Sequence, residues 1–167
     1  MNRRLVPVSL LLFAIVSFNG CALQPSGDAV MDFEYMVNDL RLSGVIINET
    51  GDAFLSGHGR EPVFSGKGKY IRLSSEKAPI NAWEYGDEEA ALTEAKYISR
   101  DGFDIRRPPG PDDEGFAGHY DWIAPPHWYQ SGKIIVLYVG ETPDMRILLN
   151  ELLGKQFAGQ GQVRDIE

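Results

Sequence analysis

A single cysteine, Cys21, stands in 167 residues. An intramolecular disulfide, a cysteine-built zinc cluster and a CxxC redox pair are therefore excluded. Positive charge is scarce too. Lys and Arg number 16 against 24 Asp and Glu, a formal charge of −8, which argues against a phosphate-backbone binder and so against a nucleic-acid partner. The chain has 3 histidines and no HExxH pair. Ser43, Ser56 and Ser65 lie in no GxSxG elbow, and Gly66-Lys67-Gly68-Lys69 lacks the spacing of a phosphate loop. No motif implies a cofactor. The longest apolar run, Leu5 to Phe18, is shorter than the ~20 residues that cross a bilayer, and it contains Pro7. The 43% apolar and 24% charged fractions are those of an ordinary globular protein, and the length is that of one domain.

Met1-Asn2-Arg3-Arg4 precede the apolar run and Phe18-Asn19-Gly20-Cys21 follow it. A charged start, an apolar core and a small residue are the order of a secretory leader. The segment resembles the lipobox of bacterial lipoproteins, in which a small residue precedes a cysteine that is acylated and becomes the new N-terminus. Gly20 and Cys21 fit that pattern; Phe18 and Asn19 depart from the usual Leu and small residue. The resemblance implies a signal peptide over 1–20 and a lipidated Cys21 with a short linker over 21–28. The bilayer is then the expected partner, because two or more acyl chains anchor stably where one does not. Loss of Arg3 and Arg4 with the leader takes the formal charge from −8 to −10. An acidic body is repelled by an anionic leaflet, so acyl chains rather than a basic patch must hold it there. Ala22, not Asp, follows the cysteine, which resembles outer-membrane-directed lipoproteins. The expected location is the cell envelope, extracytoplasmic, on the periplasmic face of the outer membrane where two membranes exist. The alternative is a buried N-terminal helix with an inert thiol.

Beyond the linker, hydrophobic periodicity predicts one α+β domain over 29–160: a mostly antiparallel sheet with about three helices packed against it. Asp28 is placed to cap a first helix ending near Leu42, with Phe33, Met36, Val37 and Leu40 on one face and Gly44 as the stop. Short strands follow at Val45–Asn48, Pro62–Ser65, Tyr70–Leu73 and Ile80–Tyr85, the middle two joined by a turn at Gly66-Lys67-Gly68. Asp87 is placed to cap a second helix to about Ser99, with Ala91, Leu92, Ala95 and Ile98 inward. A long loop runs from Asp101 to Gly118. Strands are expected at Tyr120–Ala124 and Ile134–Val139, the latter apolar on both faces and so central. Thr142-Pro143-Asp144 reads as a helix start, Met145, Leu148, Leu149 and Leu152 as its inner face, and Gly154 as its end. Residues 161–167 read as a loose polar tail.

Several stretches of the body carry a further resemblance. They are Trp83-Glu84-Tyr85, Ile98-Ser99, Asp101-Gly102, the run Trp122-Ile123-Ala124-Pro125-Pro126-His127-Trp128-Tyr129, Ile135 to Gly140, and Leu153 to Gly159. From about Phe33 to Gly159 the chain resembles a family of bacterial lipoproteins of uncharacterised activity. The resemblance implies a shared fold and an envelope location, and no reaction. The loop Ile105 to Gly118 is richer in Pro and Asp than such proteins usually carry.

The densest aromatic stretch, Gly118 to Tyr129, supplies the candidate site. Trp122, His127, Trp128 and Tyr129 are candidate ligand-binding residues, since Trp and Tyr offer flat apolar faces with a polar handle. Against this stands a packing interpretation: a core strand, a Pro125-Pro126 corner, and Trp128 and Tyr129 folded back onto the sheet. His119 and Asp121 would share a face if they lay on one strand, and a return of the chain past the Pro125-Pro126 corner would bring His127 to them. That arrangement would make either a divalent-metal site or, with Glu84, a hydrolase centre. Asp112, Asp113 and Glu114 lack the order of an EF-hand loop and read as a solvated acidic loop. The favoured expectation is a lipid-anchored domain that works by binding or structural association, with a protein or small-molecule partner and without catalysis.

Overall fold

The computed structural model describes residues 30–55, 62–111 and 114–166. Residues 1–29, including Cys21 and the expected cap Asp28, lie outside that range. The first helix, α1, spans Phe33–Leu42 and is capped by Asp32, whose carboxylate accepts from the Tyr35 N–H at 2.9 Å. Its C-terminus passes into Gly44 at φ 83°, a conformation glycine adopts without a Cβ penalty. As the spacing predicts, Phe33, Met36, Val37 and Leu40 are all buried.

The strands β1 (Ile47–Asp52), β2 (Lys67–Leu73), β3 (Ile80–Glu84), β6 (Pro126–Ser131), β7 (Ile134–Val139) and β8 (Ala158–Gly159) form one antiparallel sheet. Its order is β1-β2-β3-β7-β6-β8. Between β3 and β6 the chain forms α2 (Glu88–Ala95) and a separate two-stranded ribbon, β4 (Asp104–Arg107) with β5 (Phe116–His119). The last helix, α3, spans Pro143–Leu153. The fold is α+β.

Strand alternation divides the interior into two cores, one on each face of the sheet. In β7, Ile134, Val136 and Tyr138 face α1 and α3, while Ile135, Leu137 and Val139 face α2 and the ribbon. This strand is fully buried, as its unbroken apolar run predicts. On the first face α3 contributes Met145, Leu149 and Leu153, and Leu148 and Leu152 are only partly buried. The second core is aromatic, built around Phe64, Trp83, Trp128 and Phe157.

Six expectations are corrected. Val63 and Phe64 are buried, yet 62–65 is no strand: Gly66-Lys67-Gly68 is not a hairpin turn, because Lys67 and Gly68 already pair with Glu84 and Trp83 in β2. The segment is held instead by α2, where the buried Glu94 carboxylate accepts from the Ser65 N–H at 3.0 Å and the Tyr85 hydroxyl at 2.8 Å. Burial beside that carboxylate raises the Tyr85 pKa far above its ordinary value. The second helix stops at Ala95, because Ile98 bridges to Ile105 and the Arg106 N–H donates to Tyr97 O at 2.8 Å. The expected long loop contains the ribbon, and the expected strand Tyr120–Ala124 is irregular, with strands on either side of it. The tail is tied down as far as Arg164, whose guanidinium donates to Gln130 O at 2.7 Å and Lys155 O at 3.0 Å. Among the described residues no helix is long and apolar enough to cross a membrane.

Candidate functional site

Beside the start of β6 on the aromatic face, the turn 99–103 meets the irregular run 120–125. Asp101 shapes the turn by accepting from the Ser99 hydroxyl at 2.5 Å and the Phe103 N–H at 3.2 Å. Gly102 follows at φ 79°, and a Cβ there would approach Trp128 Cδ1 to 2.9 Å and Gly159 Cα to 3.1 Å. No side chain fits that gap, so the backbone packs directly on the indole. The Gly102 carbonyl accepts two indole N–H groups, from Trp122 at 3.0 Å and from Trp128 at 3.1 Å. One oxygen with two lone pairs thus orients both rings.

The indole of Trp122 is further held by Tyr120, stacked at 5.2 Å between centroids and 11° between planes, and by the edge of Trp128 at 6.1 Å. Trp128 in turn stacks on Trp83 at 5.8 Å. Ring contacts therefore run from the core to the surface, ending at a half-buried tryptophan held by a hydrogen bond. Burial raises the Tyr120 pKa, and its hydroxyl is enclosed with no hydrogen-bond partner among the described residues.

Trp122, Phe103, Ala124 and Pro125 form most of the wall of a cavity of about 540 Å³, with Asp101 and Gln160 as its polar side chains. Gly159 closes the floor; at φ 109° a Cβ there would come within 2.0 Å of Pro126 O. The hydrogen bonds from Ser99 and then Phe103 hold the Asp101 carboxyl below its ordinary pKa, so it is ionised at neutral pH. At the rim, His119 stacks on Phe103 at 6.0 Å, and its Nδ1 lies 2.7 Å from Asp104 Oδ1. That bond raises the imidazole pKa, with Asp121 and Asp101 adding to the effect.

Of the residues singled out from sequence, Trp122 alone lines this cavity. Trp128 and Tyr129 are fully buried and belong to opposite cores. His127 is buried on the α1 and α3 face, stacked on Tyr138 at 5.8 Å. Its Nδ1 is 2.6 Å from Gln156 Oε1 and its Nε2 is 3.1 Å from Gly140 O. The Gln156 amide donates to Gln160 O at 2.8 Å, so its oxygen is turned to the histidine. Both ring nitrogens face carbonyl oxygens, and burial nevertheless lowers the pKa.

His127 is therefore not brought to His119 and Asp121, which approach each other to 3.7 Å at the surface. The expected Pro125-Pro126 corner does not return His127 to their face, because Pro126 begins a strand and alternation turns the next side chain away. Glu84 pairs with Lys69 at 3.7 Å, and Lys69 lies over Phe33 of α1, on the face away from Trp122. Among the described residues no cluster of three acidic, histidine or cysteine side chains is arranged to hold a metal. Asp112 and Asp113 are outside the described residues.

Sequence reasoning missed Phe103, Gly159 and Gln160 as lining residues, and it missed the role of Asp101. The signal present was Ser99-x-Asp101-Gly102, a pattern in which a side chain closes a turn before a left-handed glycine. A second hollow of about 470 Å³ lies among Val45, Glu76, Met145 and Leu148 and has no aromatic wall. No known family model, curated protein or solved structure matches the chain.

Proposed function

We propose that this protein is a lipid-anchored, extracytoplasmic binding domain of the bacterial envelope, attached through acylated Cys21, with the Trp122 cavity as its binding site. The observation that carries the binding part is a roomy, largely apolar hollow whose principal aromatic wall is fixed by one backbone carbonyl and one stacked tyrosine. Such a combination of apolar wall and few convergent polar groups is the usual form of a small-ligand site.

The anchor rests on the order Arg3-Arg4, apolar run, Gly20-Cys21 in the sequence. The described chain starts near the end of β6 away from the cavity: Met31 is bonded to Lys133 in the turn between β6 and β7. The cavity lies at the opposite end of β6, beside Pro125. Five residue steps of strand separate the two ends, roughly 17 Å at ~3.3 Å per residue.

Two measurements test this reading. Radioactive palmitate is expected to label the wild-type chain and not Cys21→Ser; an unlabelled wild type overturns the anchor. Trp122→Ala is expected to leave the domain folded while abolishing ligand-dependent shifts of cavity amides in NMR spectra. Retention of those shifts overturns the cavity assignment.

A further inference from the structure

We propose that the Trp122 cavity selects an organic cation, an ammonium or guanidinium group carried on a flat or short apolar body. This rests on the reading of the cavity as the binding site and names the chemistry that it takes. Trp122 and Phe103 provide two π systems in one wall, and an aromatic wall attracts cations through the ring quadrupole. Asp101 provides the only formal charge among the lining residues, and it is negative.

Two further carboxylates stand at the rim, Asp104 and Asp121, on either side of His119, and Asp104 is also paired with Arg106 at 3.2 Å, so Asp121 and the lining Asp101 carry the acidic character. The cation next in sequence to the lining, Arg100, is turned to Asp165 at 2.9 Å. Among the described residues no lysine or arginine lines the hollow, so a bound anion would meet a carboxylate with no cationic wall to offset it. The chain's formal charge of −8 adds a long-range field that concentrates cations. The apolar body fits against Ala124 and Pro125, which complete the wall.

The inference can be tested on the full-length protein in non-ionic detergent micelles, labelled with ¹⁵N. Phenethylamine, protonated at neutral pH, is titrated in parallel with 2-phenylethanol, its neutral analogue of nearly the same shape. The amine is expected to shift the amides of Asp101, Phe103 and Gln160 and to bind about tenfold more tightly than the alcohol, as an interaction with one charged partner implies. Asp101→Asn keeps an oxygen to accept from Ser99 and Phe103 and removes only the charge. It is expected to bring the two affinities together.

If that variant fails to fold, salt provides the same test on the wild type: raising it from about 0.05 to 0.5 M should weaken the amine and spare the alcohol. Equal binding of amine and alcohol overturns the cation selectivity and leaves the cavity as a binding site. Shifts confined to the hollow near Met145, or no shift at the three amides with either probe, overturn both readings.

Discussion

The two faces of the sheet are covered in different ways. On one, α1 and α3 lay regular stripes of Phe, Met, Val and Leu against Ile71, Ile80 and Val136. On the other, one short helix, a two-stranded ribbon and irregular segments cover Trp83, Trp128, Ile135 and Leu137. A helix presents side chains at fixed spacing, so aliphatic groups of moderate size fill the space beneath it. Irregular chain has no such spacing and leaves wider gaps. Large rings fill them, and where the ring contacts end at Trp122 a hollow remains. The contrast places the cavity on the loop-covered face, with its lining residues held by a rigid sheet below.

The adjoining pair in β6 gives the strongest test of this contrast. Trp128→Ala is expected to cost roughly 3–5 kcal/mol in urea denaturation, because the ring is fully buried. Tyr129→Phe, on the other face, should cost nothing or stabilise, since its buried hydroxyl has no partner among the described residues and burial raises its pKa to about 12. A Trp128→Ala cost below about 1 kcal/mol would mean that the aromatic face is not packed as described.

Next in size is Gly102→Ala, expected to cost roughly 1–3 kcal/mol through its positive φ and the displaced indole. It should also alter the Trp122 indole N–H resonance; an unchanged resonance would disconnect the turn from the cavity wall.

A smaller difference separates the helices on the two faces. Asp87 caps α2 by accepting from the Ala90 N–H at 2.9 Å, whereas Thr142 makes no side-chain bond at the start of α3. Asp87→Ala is expected to cost about 1 kcal/mol and Thr142→Ala less than about 0.5 kcal/mol in chemical denaturation.

His119 and His127 should titrate oppositely. His127 has a lowered folded pKa, so its contribution is whole above the unfolded value of about 6.5 and is lost as pH falls below it and through the folded value. His119 has a raised folded pKa, so its contribution is whole below about 6.5 and is lost as pH rises through the folded value. Histidine proton NMR should place the midpoints on opposite sides of about 6.5; midpoints on the same side would contradict one of the two environments.

Legibility followed the range of the determining interaction. Phe33 to Leu40 and Ile134 to Val139 were readable, because a helical stripe and an unbroken apolar strand depend on neighbours along the chain. Gly44 was readable for the same reason. The segment 62–65 was misread because Val63 and Phe64 look like strand residues, while the partner that holds them is Glu94, distant in sequence. Ile98 was assigned to a helix whose period it fits, and the bridge to Ile105 overrides that period. Of the four candidate ligand-binding residues, Trp122 lines the cavity. Its companions were not separable from it by composition, since Trp128 and Tyr129 are equally aromatic and are fully buried.

Sequence alone determined the α+β class, the central strand, the cap Asp87 and the acidic balance, because each depends on local periodicity, local hydrogen bonding or a count of charges; the cap of α1 is Asp32 rather than the expected Asp28. Tertiary structure alone decided which face of the sheet each side chain of the run 122–129 occupies. Alternation turns on where a strand begins, and Pro126, not Tyr120, begins it. That register separates His127 from His119 and Asp121, and it leaves Trp122 beside a carboxylate whose position is set by a turn some twenty residues earlier in the chain.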